Sequence, residues 1–332
     1  MMLSASQTSR RWIWLLCLAL AAVLPWILPP YQLRLMTEAL IFSLYAVSYN
    51  LLLGYGGLLS FGHAMFFGVG AFATAVVING LEGIPLFAAV ALATGITALA
   101  GLVVGLLLLR VSGTPFALLT LAFNALFFAI AVKWHTITGG DDGLSVFAPE
   151  VNFGLFSLDP ADGPQMYYLT LVVIGSAIAF CWHFTRTAMG QSVLLIRENE
   201  ERMRFLGYNT NVARLNLFVI TGCLAGLAGS FYTLFNSFVS LDAISIEMTT
   251  KVLLMTFIGG TGSFAGPIVG AYFYTYVQDF LRDLTENWPL IMGALFIIMV
   301  LYAPGGLSGL AVSLKERLAG RKLETKGADG NE

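Results

Sequence analysis

The sequence predicts an all-α protein, a polytopic bundle of transmembrane helices. Of its 332 residues, 58% are hydrophobic and only 11% are charged, and the mean hydropathy is +0.81. This composition leaves too little polar surface for a water-soluble protein of this length. The hydrophobic residues also fall in long runs without the alternation typical of a barrel. Because backbone polar groups must be satisfied internally in lipid, these runs are expected to be helices.

We expect about ten spans, because the runs approach the roughly 20 residues that cross a bilayer. The first, Trp12–Leu28, follows the basic flank at Arg10 and Arg11 and has no small-residue cleavage site, so it should be retained. The other spans are expected at Leu35–Leu53, Leu58–Ile78, Leu86–Leu109, Thr114–Trp134, Met166–Phe184, Leu215–Phe238, Ser245–Ile258, Pro267–Leu281 and Trp288–Ala303. Glycines interrupt several runs, which leaves open whether some are re-entrant.

The distribution of lysine and arginine predicts the orientation. The loop 135–165 has acidic residues but no Lys or Arg and is expected outside, whereas the segment 185–214 and the tail are rich in Lys and Arg and are expected inside. Residues 1–11 would be a cytoplasmic N-terminus, 12–310 the transmembrane domain, and 311–332 a partly disordered cytoplasmic tail. Ten spans counted from an inside N-terminus satisfy all three assignments.

Arg186–Arg214 is the only long charged segment between hydrophobic runs, and it holds five of the seventeen Lys and Arg residues. Val193–Leu206 contains no Gly or Pro, so one short helix is expected, with Gly207, Asn209 and Asn211 as candidate terminators. A charged helix between two spans suits docking of a soluble partner. A solvated loop is the alternative.

Glycine spacing predicts tightly packed helices. The pairs that are four residues apart are Gly101 and Gly105, Gly222 and Gly226, Gly262 and Gly266, and Gly266 and Gly270.

Two glycine-containing segments of the chain are similar to each other. Gly56-Gly57-x-x-Ser60-Phe61 and Gly259-Gly260-x-x-Ser263-Phe264 match without a gap, and each follows a hydrophobic run. Transporters often contain such repeats, so the two turns are expected to occupy equivalent positions, with chance similarity as the alternative.

The motifs that the sequence lacks limit the possible energy sources for transport. No G-x-x-x-x-G-K-[ST] occurs, so ATP would have to act through a partner. An ion gradient requires ionisable groups within spans, and these are few: Glu38, Lys133, Glu247 and Lys251, of which Glu247 and Lys251 could pair along one helix face. No metal or intramembrane hydrolase motif is present, and the three cysteines are isolated in hydrophobic runs. An enzyme is therefore disfavoured.

Several segments carry a family resemblance. Asn50–Ala64, N-L-L-L-G-Y-G-G-L-L-S-F-G-H-A, resembles the N-L-L-x-G-Y-x-G-x-L-S-x-G-H-A signature of permeases from branched-chain amino acid ABC importers. In Gly113–Ala122, Pro115 replaces an aromatic residue of the family pattern. Further matches follow in order at Thr138–Leu144, Ile196–Glu200, Gly222–Gly229, Gly259–Pro267 and Pro304–Gly309. The resemblance covers about residues 35 to 310 and is strongest to the LivM-type permeases.

The resemblance implies a non-enzymatic permease of the ABC importer type in the bacterial inner membrane, with both termini cytoplasmic. It implies a sister permease as heterodimer partner, two ATP-binding subunits that use ATP and Mg, and a periplasmic substrate-binding protein, but no cofactor, metal or nucleic acid for this chain. Branched-chain amino acids are the expected solute. Urea, short amides, other amino acids and aromatic acids stay open, as do a stand-alone secondary transporter and a membrane scaffold without solute flux.

The resemblance also suggests residue roles. Glu201 to Gly207 is similar to the E-x-x-x-x-x-G core of the coupling loop in ABC permeases. The residues expected to dock onto an ATP-binding subunit are Arg197, Glu198, Glu200, Glu201 and Arg202, with Gly207. Asp141 and Asp142 lie in the glycine-bounded outer loop and are candidates for contact with the binding protein. A plain turn is the alternative for this pair.

A second set of residues is expected to line or gate the translocation path. These residues are Ser60, Gly62, His63, Thr120, Asn124, Gly259 and Gly260. Irregular backbone near glycine is tolerated at membrane depth where it lines a cavity or packs on protein. The alternatives are a tight turn in which a backbone carbonyl satisfies His63, and a hydrogen bond from Asn124 to a neighbouring helix.

Overall fold

The computed structural model describes residues 24–81, 83–111, 113–152, 157–302 and 305–309. Over these ranges the protein is a helical bundle, which confirms the predicted fold class. The helices are α1 Pro30–Asn50, α2 Ala64–Gly80, α3 Leu86–Leu108, α4 Thr114–Lys133, α5 His135–Thr138, α6 Gly163–Phe184, α7 Ala188–Glu198, α8 Glu200–Phe205, α9 Thr210–Asn236, α10 Ile246–Gly259, α11 Gly266–Leu284 and α12 Trp288–Tyr302. A π-helical turn, Leu51–Tyr55, extends α1.

Short elements connect the helices. Two antiparallel pairs of two-residue strands lie in the described loops: β1 Leu144–Ser145 with β4 Phe238–Val239, and β2 Val151–Asn152 with β3 Ser157–Leu158. Two 3-10 turns, Gly140–Asp142 and Leu241–Ile244, precede β1 and α10 respectively.

Over the described residues, six segments are long and hydrophobic enough to cross a bilayer: α1 with its π-helical turn, α3, α4, α6, α9, and Trp288–Gly309, which begins with α12. Three further expected spans are helical but shorter or more polar, namely α2 with 17 residues, α10 with 14 and α11 with 19. The expected span Leu58–Ile78 begins too early, because the chain turns before α2 starts at Ala64. Most of Trp12–Leu28 and all of the tail lie outside the described residues.

α1 and α9 form the centre of the bundle. The most hydrophobic windows of α1 and α9 are 89% and 72% buried, whereas those of α3, α4 and α6 are 28–33% buried. The outer helices expose apolar side chains such as Leu99 and Leu118. Such apolar outer faces suit contact with lipid, where exposed hydrophobic residues carry no penalty.

Small residues allow α2 and α9 to approach closely. A Cβ atom on Gly70 would lie 2.1 Å from the Gly226 carbonyl oxygen, and one on Gly229 would lie 1.9 Å from the Phe67 carbonyl oxygen. At this crossing the Ser230 hydroxyl donates to the Gly70 carbonyl oxygen over 3.3 Å. The expected close packing is therefore present at Gly226, but Gly262 has open space around it.

The two ends of the bundle differ in character, and α9 joins them. α9 has 27 residues and is about 40 Å long at 1.5 Å per residue. α7 and α8 pack near its first turns, and we call this the α8 end. β4 directly after α9 pairs with β1 of the acidic loop 135–165, and we call this the loop end. The two charged segments singled out in the sequence thus lie at opposite ends of the bundle.

Candidate coupling site

The charged segment between α6 and α9 forms two helices rather than one. The expected single helix over Val193–Leu206 is wrong, because it breaks at Asn199, whose φ is −156°. The Asn199 side chain accepts a hydrogen bond from the Arg202 backbone N–H over 2.9 Å and so caps a new helix, α8. Asparagine competes with the backbone in this way and favours caps over helix interiors.

Of the predicted terminators, Gly207 ends α8. Its φ of +83° is in the left-handed region, and its N–H donates to the Arg204 carbonyl oxygen. Asn209 instead begins the next helix, since its side chain accepts from the Val212 N–H over 3.2 Å. The segment therefore turns sharply between α8 and α9.

Glu200 forms ion pairs that connect α8 to α9. Its carboxylate accepts from Arg204 over 2.7 Å and from Arg214 of α9 over 2.6 Å, and it also accepts from the Thr210 hydroxyl over 3.2 Å. The Arg214 side chain is only 15% exposed, so this ion pair is better shielded than a surface pair. Glu200 is thus occupied within the chain, and its predicted docking role stays a prediction.

Arg197 connects the same segment to the end of α1. Its guanidinium donates to the Gly54 carbonyl oxygen within the π-helical turn. A Cβ atom on Gly57 would lie 2.9 Å from Cγ of Arg197, so the side chain lies directly on the turn after α1. A hydrogen bond from a charged group contributes more than a neutral one. Arg197 therefore connects α7 to the turn that follows α1.

Other charged side chains of this segment face outward. Glu198, Glu201 and Arg202 are exposed. Next to them lie exposed apolar side chains, with Phe205 84% and Leu206 66% exposed. An apolar patch with a charged rim is the usual composition of a protein-docking surface. We call Glu198, Glu201, Arg202, Phe205, Leu206 and Tyr208 the docking surface.

The apolar part of this surface was not predicted from the sequence. Phe205, Leu206 and Tyr208, which is 54% exposed, lie in the long charged segment between two hydrophobic runs. Their apolar character within a charged segment was the sequence feature that could have identified this surface.

The two glycine turns lie together at the α8 end. Gly57 and Gly260, the second glycine of each motif, both have positive φ, +67° and +100°. The Asn50 side-chain amide donates to the Ser263 carbonyl oxygen over 3.3 Å and joins the two turns. Gly259 has no room for a side chain against the first turn of α11. The two motifs thus share a positive φ at the second glycine and lie next to each other.

Several predicted path residues converge beside the first turn. A Cβ atom on Gly62 would lie 2.0 Å from the Thr120 carbonyl oxygen. The Thr120 hydroxyl accepts from the Phe61 N–H over 3.0 Å. The Asn124 amide donates to the Ile244 carbonyl oxygen over 2.9 Å, so it bonds the segment before α10. These residues hold α4 against the irregular chain before α2.

His63 is fully buried in the same region. Its Nε2 lies 3.0 Å from the Ser48 hydroxyl, so its partner is a side chain and not the backbone carbonyl of the alternative interpretation. The Tyr45 ring stacks on the imidazole at 5.6 Å between centroids. The Tyr49 hydroxyl donates to the Ser60 carbonyl oxygen over 3.0 Å. In this conformation His63 and Ser60 belong to the packed core, and their role in a path stays a prediction.

Asp141 and Asp142 lie in the 3-10 turn at the loop end, and both are exposed. Gly139, Gly140 and Gly143 around them all have positive φ. Within the described residues, no group of three or more His, Cys, Asp or Glu side chains could hold a metal ion.

Replacing Arg197 with alanine is expected to loosen the turn after α1. Loss of a charge-assisted hydrogen bond should weaken local structure by about 1.5 kcal/mol, which corresponds to roughly tenfold faster amide exchange at residues 51–57. Hydrogen–deuterium exchange of the purified protein measures this. Arg202→Ala, which removes an exposed arginine five residues away, is the control and should leave that exchange unchanged. Equal exchange in both variants would contradict the link.

The chain matches known transport proteins over most of its length. Residues 31–300 match the family model described as branched-chain amino acid transport system / permease component. The chain is 27% identical over 310 residues to the high-affinity branched-chain amino acid transport system permease protein LivM of Salmonella typhimurium and, equally, of Escherichia coli K12, covering 87% of this chain and 73% of each relative. No solved structure matches the chain.

Other relatives carry different names. The autoinducer 2 import system permease protein LsrC of Enterobacter is 30% identical over 251 residues, 72% of this chain and 69% of the relative. The galactose/methyl galactoside import permease protein MglC of Escherichia coli is 27% identical over 235 residues, 65% of this chain and 66% of the relative. The match of the family model to most of the chain, on a bundle of apolar helices, shows that this chain belongs to the family of branched-chain amino acid transport system permease components.

Proposed function

We propose that this chain is the permease subunit of an ATP-driven importer that moves branched-chain amino acids into the bacterial cytoplasm by alternating access. It would pair with a sister permease, receive solute from a periplasmic binding protein at the loop end, and bind two ATP-binding subunits at the α8 end. The docking surface on α7 and α8 carries this proposal. It offers apolar anchors with a charged rim in a chain whose own sequence has no Walker-type nucleotide site.

The distribution of charge supports this orientation. At the α8 end lie Arg186, Arg197, Arg202, Arg204 and Arg214. The loop end has the acidic loop with Asp141 and Asp142. An excess of Lys and Arg is typical of the cytoplasmic side. The α8 end is accordingly where cytoplasmic ATP-binding subunits would be reached.

The solute assignment rests on the family and on the LivM relatives. Other relatives are named for different solutes, autoinducer 2 and galactose. Urea, short amides and aromatic acids therefore belong in any solute comparison. A stand-alone secondary transporter would transport without ATP and without partners.

Charge reversal by Glu201→Lys is expected to lower ATP-driven uptake roughly fivefold, because an exposed rim charge contributes about 1 kcal/mol or less to association. The permease should still reach the membrane, since Glu201 is exposed and makes no ion pair within the described residues. Uptake by the assembled transporter in proteoliposomes is the measurement. Glu286→Lys, which reverses an exposed glutamate at the loop end, is the matched control. Uptake unaffected by Glu201→Lys would remove Glu201 from the docking surface.

A further inference from the structure

Two opposite charges lie inside the bundle toward the loop end, outside the coupling site. Glu38 is in α1 and Lys251 is in α10, and both are half-buried. The Lys251 ammonium lies 4.8 Å from the centroid of the Phe42 ring. Phe42 follows Glu38 by one helical turn on α1, so the carboxylate and the ammonium occupy neighbouring levels of two helices that pack together.

Neither charge is neutralised by direct contact within the described residues. No nitrogen–oxygen distance within 4.0 Å pairs Glu38 or Lys251 with an opposite charge there, and the pairing that the sequence allowed between Lys251 and the exposed Glu247 is absent. Among surrounding charges, Lys251 acts most strongly on Glu38, ahead of Arg282 and Arg34. Ionisable residues within spans are expensive and are usually kept for function.

Neighbouring charged groups at this end have other contacts. The Arg34 guanidinium lies over the Phe235 ring at 5.1 Å, and Arg282 lies over Trp288 at 5.2 Å. Asp279 accepts a hydrogen bond from the Tyr31 hydroxyl. Asp242 of the turn before α10 also acts on Lys251 electrostatically, though less than Glu38 does. Within the described residues, Glu38 and Lys251 are thus opposite charges on two helices that pack together, and no direct bond joins them.

Three aromatic rings pack together beside this pair. The Phe42 ring stacks on Phe67 of α2 at 6.2 Å between centroids, and Tyr232 of α9 lies 5.8 Å from Phe42 and 5.3 Å from Phe67. Phe42 and Phe67 are fully buried, so of the three rings only the half-buried Tyr232 has surface that an aliphatic group can contact. A cavity of about 340 Å³, lined by Arg34, Thr37 and Phe235 among others, opens one turn before Glu38 toward the loop end.

Building on the proposed function, we propose that Lys251 and Glu38 form a binding site for the zwitterion of an α-amino acid on its way through the permease. The Lys251 ammonium would take the solute carboxylate and the Glu38 carboxylate its ammonium, while Tyr232, packed on Phe42 and Phe67, contacts an aliphatic side chain. In an α-amino acid the ammonium and the carboxylate are attached to the same Cα atom, so the molecule can bridge two opposite charges that do not touch. Sugars and urea carry neither charge.

Leucine uptake by the assembled transporter in proteoliposomes tests this site. Lys251→Met and Glu38→Gln should each raise the KM for leucine, or lower its uptake, by at least about tenfold, while ATP hydrolysis stimulated by the binding protein is retained. Glu247→Gln removes an exposed carboxylate one turn before Lys251 on the same helix. This control should transport leucine like the wild type.

A charge-restoration experiment separates recognition from packing. Lys251→Cys is made in a chain whose Cys17, Cys181 and Cys223 are replaced by alanine, and is then treated with a thiol reagent. An aminoethyl thiosulfonate creates a lysine-like ammonium and should restore leucine uptake, whereas a methyl thiosulfonate of neutral character should not. Equal effects of the two reagents, no restoration by the aminoethyl reagent, or wild-type uptake by both Lys251→Met and Glu38→Gln would overturn the site and leave the proposed function standing. A wild-type transporter that imports no amino acid would overturn the proposed function itself.

Discussion

Replacing both Phe205 and Leu206 with serine is expected to abolish stable association with the ATP-binding subunits and, with it, ATP-driven uptake. These side chains are 84% and 66% exposed, so they contribute little to the permease alone. Exposed aromatic and aliphatic anchors in the centre of a docking surface typically contribute about 2 kcal/mol or more each, or roughly 30-fold in affinity. The loss should therefore be larger than that from any rim charge.

Co-purification of the subunits and uptake by the assembled transporter measure this effect. For co-purification, Phe147→Ser is the matched control, because Phe147 is 86% exposed but lies at the loop end, away from the α8 end. The thermal stability of the double variant should stay close to that of the wild type, since surface substitutions usually change stability by about 0.5 kcal/mol or less. Undiminished co-purification of the double variant would show that the apolar patch is not the anchor.

The largest effect on stability is expected from Gly229→Ala and Gly70→Ala at the crossing of α2 and α9. An added Cβ atom would lie 1.9 Å from the Phe67 carbonyl oxygen or 2.1 Å from that of Gly226, and backbone atoms cannot move aside alone. The helices would have to separate, which would also strain the hydrogen bond from Ser230 to Gly70. Overpacking of this kind costs about 1–3 kcal/mol per site.

Thermal unfolding of the purified permease, together with its level in the membrane, measures this cost. Gly95→Ala in α3 and Gly175→Ala in α6 are the controls, because a Cβ atom at either position meets nothing within 4 Å. Alanine is the better helix former by about 1 kcal/mol, so the controls should be neutral or slightly stabilised. Equal stability of all four variants would mean that α2 and α9 do not cross this closely.

The helical fold was predictable because hydrophobic runs in lipid have few structural options. The position of the charged segment between α6 and α9 was equally plain in the sequence. The break at Asn199 was not predictable from the absence of Gly and Pro, because a side-chain cap decided it. Propensity describes each residue alone, whereas capping depends on local geometry.

The candidate site was predictable in position but not in internal organisation. Glu200 and Glu201 are neighbours of the same type, yet Glu200 bonds Arg204 and Arg214 while Glu201 is exposed. Only the packing of α8 on α9 distinguishes them. Likewise Arg197 could not be linked to Gly54 from sequence, because the contact spans residues that are 143 positions apart.

The most direct test of the central claim is solute uptake by proteoliposomes that hold this chain with a sister permease and ATP-binding subunits. ATP is enclosed, the binding protein is added outside, and leucine, urea, galactose and benzoate are compared. ATP-dependent leucine uptake that disappears without the binding protein is the predicted result. Uptake by this chain alone, without ATP, would contradict the account and identify a stand-alone transporter.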